Sequence, residues 1–332
     1  MENPAPAGGH NEYDLNLLLI PLLISGHRVG SDIVVTRVVF PTATVSCPLT
    51  NEDLSKTGGW FVTGKQDPFK IENINSWSEF EDHISKHTPR RWIYRGHMDI
   101  TWKLESSLFR AIQDVRMIID CCEARILKTK TYKDDYENGL ISIFKSHAHL
   151  YLSSLPKKTQ KIEWLSVMQH YGAPTRLLDW TFSPYIAAYF ALVSGNEDSC
   201  IYALNHKQLT DVDQESLGEN YKDKVFDDQR GSRSFCYPYE PEMRNERLSC
   251  QQGLFLVPST NYETFDEILA NYGFDDGTCI KYILDKTMRF DGLRKLRLMN
   301  VTSATLFPGI DGFCKSLKLQ IFESPRLIQR IC

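Results

Sequence analysis

The sequence predicts an α+β protein. Short apolar runs at 91–96, 199–204, 254–257 and 279–284 are typical of strands. Helical spacing of apolar residues lies between these runs, most extensively over 105–154, which would be a helical insert early in the chain. The chain shows no internal repeat that would indicate an array. These observations predict sheet elements in several pieces, covered by helices.

Composition limits the class of protein. A chain of 332 residues can bury a substantial core as one large domain or two small ones. Its net charge of −4 argues against a surface devoted as a whole to nucleic acid. Two local basic clusters remain, more typical of solvated helix faces than of a binding site. They are Lys157, Lys158 and Lys161, and Arg289, Arg294, Lys295 and Arg297.

Cysteine usage and hydropathy predict the compartment. Nine scattered cysteines, with Cys121 next to Cys122, do not resemble a disulfide framework. The apolar run 17–24 is too short to span a bilayer, and no cationic segment precedes it. We therefore expect a soluble cytoplasmic protein with no membrane partner.

Two regions differ in pattern along the chain. Residues 1–45 combine a Pro/Gly/Asn-rich start with weakly periodic apolar runs, and would be either a poorly ordered extension or an added strand pair. Residues 46–332 would form the main domain, with its motifs over about 70–320.

The elements of this domain follow in order. Ser76 and Glu79 form a capping-box pattern before the stripe of Trp77, Phe80 and Ile84. The helical pattern over 105–154 is interrupted near 130–135, and 159–170 is a helix closed by Gly172. The polar span 206–245 is expected to be a long loop, and helices are expected over 262–271, 287–299 and 308–319.

The segment 169–195 is the most informative in the chain. Leu177 and Leu178 predict a short buried strand, and Ser183 followed by Pro184 predicts a helix start. Asp179, Trp180 and Thr181 would then lie at a strand-to-helix junction, where ligands commonly meet backbone amides.

Several kinds of site find little support. Residues 59–66 match phosphate-loop spacing up to Lys65, but lack the Ser/Thr that holds magnesium and have a bulky interior. His83 and His87 are spaced for one helix face without a third metal ligand, and no Cys-x-x-Cys occurs, so no metal site is predicted. A Gly-x-Ser-x-Gly nucleophile elbow is also absent from the sequence.

Three separated motifs place polar groups at the edges of apolar elements. They are Tyr-Arg-Gly at 94–96, Leu-Asp-Trp-Thr at 178–181 with Ser183, and Cys-Gln-Gln-Gly-Leu-Phe at 250–255. Arg95 can clamp a phosphate or ribose, Trp180 or Tyr171 can stack on a flat ring, and Gln251 can hydrogen-bond a sugar hydroxyl. The alternative is structural: Arg95 pairs with Asp179 in a buried polar network that only fixes the fold.

Four motifs in this order resemble the FRG-domain family. They are Trp-Ile-Tyr-Arg-Gly at 92–96, Gln-His-Tyr-Gly-Ala-Pro-Thr-Arg-Leu-Leu-Asp-Trp-Thr at 169–181 with Ser-Pro at 183–184, Gln-Gln-Gly-Leu-Phe at 251–255 and Leu-Phe-Pro-Gly-Ile-Asp-Gly at 306–312. The family takes its name from Phe-Arg-Gly, and Tyr94 stands here in place of the phenylalanine.

The chain also resembles ADP-ribosyltransferases in the order of three features. An arginine lies on a first strand, a strand with Ser/Thr is followed by a helix of the type Ala-x-x-Phe-Ala, and a Gln or Glu precedes a later strand. This resemblance implies an ADP-ribosyltransferase-like split sheet and NAD as cofactor. It implies catalytic roles for Arg95 and Gln251. The cofactor-binding residues it implies are Arg95, Gly96, Tyr171, Thr175, Asp179, Trp180, Thr181 and Ser183.

The chain departs from that pattern at the catalytic acid, because Gln251 stands where the resemblance places a carboxylate. A glutamine can orient the ribose but cannot deprotonate an acceptor, so Glu240, Glu242 or Glu246 would supply that role. The resemblance implies a toxin or anti-phage defence effector that modifies RNA, DNA or protein, and an antitoxin protein would then be a partner. The alternative is a non-catalytic module that senses a nucleotide or binds a protein.

Overall fold

The computed structural model describes residues 27–29, 32–34, 67–118, 130–195, 197–227, 233–274 and 277–319. The chain divides into two compact units, Met1–Phe61 and Val62–Cys332. In the first unit, strands β1 (His27–Val29) and β2 (Asp32–Val34) pair antiparallel. The predicted boundary at 45/46 and the phosphate-loop-like segment 59–66 lie outside the described residues.

Seven strands of the second unit form one mixed sheet in the order β3-β9-β6-β4-β5-β8-β7. Only the pair β3 and β9 is parallel among these described strands. The strands are β3 (Lys70–Ile74), β4 (Trp92–His97), β5 (Leu178–Thr181), β6 (Ser199–Asn205), β7 (Cys236–Tyr239), β8 (Gly253–Pro258) and β9 (Cys279–Leu284).

Helices cover both faces of this sheet, which confirms the predicted α+β class. They are α1 (Trp77–Ile84), α2 (Ser107–Ile118), α3 (Lys130–Ala148), α4 (Lys161–His170), α5 (Pro184–Leu192), α6 (His206–Leu217), α7 (Glu246–Cys250), α8 (Phe265–Ala270), α9 (Arg289–Leu298), α10 (Ser303–Leu306) and α11 (Ile310–Leu317). Short 3-10 turns occupy Tyr221–Lys224 and Lys286–Met288. No described helix has the length and apolar character needed to cross a membrane.

Local chemistry explains where the best-predicted helices begin. Ser76 accepts a hydrogen bond from the Glu79 amide, and α1 buries Trp77, Phe80 and Ile84 as its stripe predicted. Ser183 accepts from the Ile186 amide, with Pro184 as the first residue of α5. Both helix starts are confirmed at the predicted residues.

Alternation along the strands divides the core between the two faces of the sheet. Tyr94 and its register partner Ala203 are buried with α1, α5 and α9 on one face. Their neighbours Ile93 and Leu204 are buried on the other face with α8. Because period-two alternation sends successive side chains to opposite faces, Arg95 projects to the same face as Ile93.

The sheet forks between β4 and β5. One residue pair, Tyr94 with Thr181, is in register between these two described strands. Beyond that pair, β4 stays with β6 as far as His97, whereas β5 stays with β8 back to Leu178. The strands therefore part at the residues that follow Tyr94 and precede Thr181.

Gly96 allows α5 to pack closely on β4 beside this fork. A Cβ atom at Gly96 would lie 2.0 Å from the Ala187 carbonyl oxygen and 2.8 Å from the Ala191 amide nitrogen. No side chain fits there without moving α5, because both obstacles are backbone atoms.

Three predictions about element boundaries are wrong. Asp179, Trp180 and Thr181 belong to β5 itself rather than to a junction after it, because β5 continues to pair with β8 through Thr181. The interruption expected near 130–135 is instead the start of α3. The span 206–245 is not a loop, since it contains α6, a 3-10 turn and β7; α6 is capped by Asn205 and buries Leu209 and Asp213.

Candidate functional site

A cleft of about 1110 Å³ lies at the mouth of the fork. It is lined by residues from both parting strands and from the turn that precedes β8. The predicted site residues that line it are Arg95, Gly96, Asp179, Trp180, Thr181 and Gln251. The structure thus brings the three separated motifs to one place.

Arg95 spans the fork with hydrogen bonds on both sides. Its Nη1 donates to the main-chain carbonyl of Asp179 at 2.6 Å, and its Nε donates to Nε2 of His97 at 2.9 Å. The guanidinium thereby reaches a β5 carbonyl that the diverging backbone of β4 no longer approaches. Burial lowers the pKa of Arg95, but an arginine pKa lies so high that the group keeps its charge.

His97 is neutral and held in one tautomer. Burial, followed by the nearby charge of Arg95, lowers the pKa of His97 to about 3. Because Nε2 accepts from Arg95, the ring proton must reside on Nδ1, which lies 3.4 Å from the carbonyl oxygen of Trp102. His97 thus fixes the guanidinium without neutralising it.

The Asp179 carboxylate does not pair with Arg95. It accepts from Nε2 of Gln169 at 2.8 Å, and no described carboxylate lies within 4.0 Å of the Arg95 guanidinium. The Asp179 side chain is exposed at the cleft. Arg95 and Asp179 are thus joined by a hydrogen bond to the main chain and not by an ion pair, so the alternative of a polar network that fixes the fold stays open.

Thr175 supports the Asp179 side chain indirectly, through Gln169. Its Oγ1 donates to Oε1 of Gln169 at 2.6 Å and accepts from the Leu177 amide at 3.2 Å. This chain of hydrogen bonds fixes the Gln169 amide that donates to Asp179. Thr175 is itself fully buried and does not line the cleft.

Gln251 is held at the opposite side of the cleft. Oγ1 of Thr181 donates to the main-chain carbonyl of Gln251 at 2.7 Å, and Nε2 of Gln251 donates to the Leu306 carbonyl at 3.0 Å. The next residue, Gln252, has a φ of 46° and accepts from the Phe182 amide at 3.0 Å. Oε1 of Gln251 has no hydrogen-bond partner within the described residues, so it can accept from a ligand.

Three predicted site residues lie elsewhere. Tyr171 is 61 % exposed and packs edge-on against His170 rather than entering the cleft. Ser183 caps α5, and Thr175 is part of the support for Asp179. None of the three lines the cleft.

The predicted auxiliary acids also lie outside the cleft lining. Glu240 forms an ion pair with Arg244, the main-chain amide of Glu242 donates to Glu163, and Glu246 begins α7. Within the described part of the chain, Glu105 and Asp179 are the carboxylates that line the cleft. Of the described carboxylates, these two are placed for acid or base chemistry in the cleft.

Sequence reasoning missed most of the charge in the site. Neither predicted basic cluster lines the cleft, yet its described lining holds six Lys/Arg side chains against two Asp/Glu. The cations are Arg95, Lys103, Arg110, Arg247, Lys315 and Lys318. They come from five different parts of the chain, so no local run of sequence reveals them. The motif at 306–312 was the one available indication, because it contains Phe307, which also lines the cleft.

Trp180 lines the cleft and carries an unsatisfied donor. Its side chain is 3 % exposed, and its indole Nε1 has no hydrogen-bond partner in the described structure. Buried donors in native proteins are nearly always paired with protein, water or ligand. The Nε1 atom is itself buried, and the indole packs in the core, so this donor is not open to the cleft.

Comparison with known families identifies part of the chain. Residues 90–200 match the model of the FRG domain, so this third of the protein is an FRG domain. The match includes Arg95 and the segment from Gln169 to Ser183, and it ends before Gln251. Comparisons with curated proteins and with solved structures each found no match.

Proposed function

We propose that this protein is an NAD-dependent ADP-ribosyltransferase-like enzyme that transfers ADP-ribose to a macromolecule, as a toxin or an anti-phage defence effector. The observation that carries the proposal is the convergence of Arg95, Thr181 and Gln251 on one cleft. These residues belong to three separated motifs whose order resembles that of ADP-ribosyltransferases. A purely structural set of polar residues would not need to meet at an open cleft.

The sheet supports the same proposal at the level of the fold. The fork between β4 and β5 is the kind of opening that a split sheet requires, and it separates Arg95 from Trp180. The finer ADP-ribosyltransferase-like architecture remains part of the proposal.

The cleft residues fit NAD chemically. The pyrophosphate of NAD is anionic, and Arg95 and Arg110 are cations in the cleft lining. The cleft volume of about 1110 Å³ slightly exceeds the usual range for small-molecule sites, which is roughly 300–1,000 Å³.

Each residue would have a distinct role. NAD supplies an ADP-ribose group whose bond to nicotinamide can be broken. Arg95, fixed by His97 and the Asp179 carbonyl, would hold the phosphate side. Gln251, fixed through Nε2, would accept a ribose hydroxyl at Oε1 and so favour positive charge on the sugar. Either Asp179 or Glu105 would receive the proton of the acceptor, since both carboxylates line the cleft.

Release of nicotinamide from NAD by the purified protein tests this proposal. Gln251→Ala should lower the rate by about 100-fold, the scale of one preorganised hydrogen-bonding group, while loss of the bond to Leu306 costs only about 0.5–1.5 kcal/mol and leaves the protein folded. Gln214→Ala is the matched control, because Gln214 is an exposed glutamine on α6 that does not line the cleft. Binding of NAD without any release of nicotinamide would favour the non-catalytic nucleotide-sensing module.

A further inference from the structure

We propose that one wall of the cleft binds the sugar-phosphate backbone of a single-stranded nucleic acid, which is the acceptor of the transfer. This inference rests on the proposed function. The basic wall consists of Arg247, Phe307, Lys315 and Lys318, all of which line the cleft. Its residues come from α7, the end of α10 and the region of α11.

Phe307 organises two of these cations. Cζ of Arg247 lies 5.1 Å from the centroid of the Phe307 ring, and Nζ of Lys315 lies 4.9 Å from it. The ring is packed perpendicular to Phe190 at 6.0 Å, which ties it to α5. Cation–π contacts at these distances attract the charged groups to the ring while leaving their N–H donors available.

The charge of the basic wall is not balanced locally. Within the described chain, neither Arg247 nor Lys315 nor Lys318 has a carboxylate within 4.0 Å. The protein as a whole carries a net charge of −4, so this positive surface is a local feature. Unbalanced cations in a concave surface attract an anionic ligand.

The basic wall is adjacent to the proposed reacting group but separate from the Arg95 side. Nε2 of Gln251 donates to the carbonyl of Leu306, the residue directly before Phe307. The pyrophosphate would use the cations of β4 and α2, Arg95 and Arg110. The three cations of the basic wall then remain for a second anion beside Gln251, which is where an acceptor must lie.

A phosphodiester strand fits this wall better than other anions. It brings one negative charge with each nucleotide, and its bases can stack when the strand is single. Trp102 lines the same cleft with 49 % of its side chain exposed, so an aromatic face is available to an unpaired base. A paired duplex would not offer its bases to Trp102.

The test is fluorescence anisotropy with the full chain and a labelled single-stranded oligonucleotide of about 12 nucleotides, as DNA and as RNA, without NAD. The double substitution Lys315→Gln/Lys318→Gln should weaken binding about tenfold and flatten the dependence of log Kd on log salt by about 1.4, or about 0.7 for each lost contact. Lys157→Gln/Lys158→Gln is the matched control. It removes the same charge outside the cleft and should leave both quantities unchanged.

The outcomes separate this inference from the proposed function. Equal effects of the two double substitutions, or binding of an acidic peptide in place of either oligonucleotide, would overturn the nucleic-acid inference. Oligonucleotide binding that depends on Lys315 and Lys318 supports the basic wall even in the absence of NAD. If such a protein released no nicotinamide from NAD, the transferase proposal would fail while the binding surface stood.

Discussion

The Arg95 guanidinium donates a 2.6 Å hydrogen bond to the main-chain carbonyl of Asp179 across the gap between two parting strands. In a continuous antiparallel ladder, a backbone amide would satisfy that carbonyl. Here a charged side chain takes its place, and the opening that results is the cleft. Arg95 therefore contributes both to the stability of the fork and to the charge of the site.

Arg95→Ala should destabilise the protein by about 1.5–3 kcal/mol, the range for hydrogen bonds that involve a charged group. The change leaves the Asp179 carbonyl and Nε2 of His97 without their donor. Urea denaturation measures the loss. Arg110→Ala removes the same charge, together with an exposed hydrogen bond to the Glu105 carbonyl, and should cost less, about 0.5–1 kcal/mol. Equal losses in the two variants would contradict a bridging role for Arg95.

His97 should make stability depend on pH. Its pKa falls to about 3 in the folded protein, so the unfolded chain binds the proton first as pH drops below 6.5. The contribution of neutral His97 to the free energy of unfolding is therefore fully present above pH 6.5. It is lost as pH falls toward 3, by at most about 1.4 kcal/mol per pH unit. His97→Gln should flatten this decline in urea denaturation, whereas His149→Gln, at an exposed position, should not. Burial also lowers the pKa of His87, to about 4, so some pH dependence should remain.

Two glycine substitutions should have opposite effects. Gly96→Ala places a methyl group 2.0 Å from the Ala187 carbonyl oxygen, so it should destabilise by about 1–3 kcal/mol or more through displacement of α5. Gly139→Ala in α3 meets no atom within 4 Å and should stabilise by about 0.5–1 kcal/mol through helix propensity. Thermal denaturation of both variants measures the difference. A neutral Gly96→Ala would show that α5 does not depend on this close approach.

A buried ion pair joins the motif at 169–181 to α3. Nε of Arg176, which is 3 % exposed, donates to Glu137 at 2.7 Å, and Lys161 lies 3.2 Å from the same carboxylate. Glu137→Gln leaves the buried Arg176 with only the more distant Asp134, at 3.9 Å, as a counter-charge and should cost about 3–5 kcal/mol in the free energy of unfolding.

The pair makes a second prediction about acid. Burial acts to raise the pKa of Glu137, but Arg176 and Lys161 outweigh it and hold that pKa below its ordinary value of 4.5. The stabilisation that ionised Glu137 provides is present above pH 4.5 and is lost as pH falls through the pKa of Glu137 in the folded protein. Glu137→Leu combined with Arg176→Met removes the buried pair, while the partly exposed Lys161 can turn to solvent, and should restore much of the stability and remove this acid sensitivity. A double variant as unstable as Glu137→Gln would contradict the account of the pair.

Helices and strands whose ends are fixed by neighbouring residues could be predicted from the sequence. Those that depend on residues distant in the sequence could not. Ser183 and Pro184 specify the start of α5 by themselves. Helix α6 was missed because it is mostly polar and its buried Asp213 depends on Arg233 and Tyr272, which are far away in sequence.

The same distinction applies to the site. Arg95, Thr181 and Gln251 lie in recognisable motifs, so their convergence was predictable. The support of Asp179 by Gln169 and the cation contacts of Phe307 depend on side-chain geometry across elements. No pattern of spacing along one segment encodes such contacts.

Incubation of the purified protein with labelled NAD and a cell lysate tests the central claim most directly. The account predicts label on a macromolecule, removed by nuclease and not by protease, and absent with Gln251→Ala. A folded wild-type protein that produced no labelled macromolecule and released no nicotinamide would contradict it.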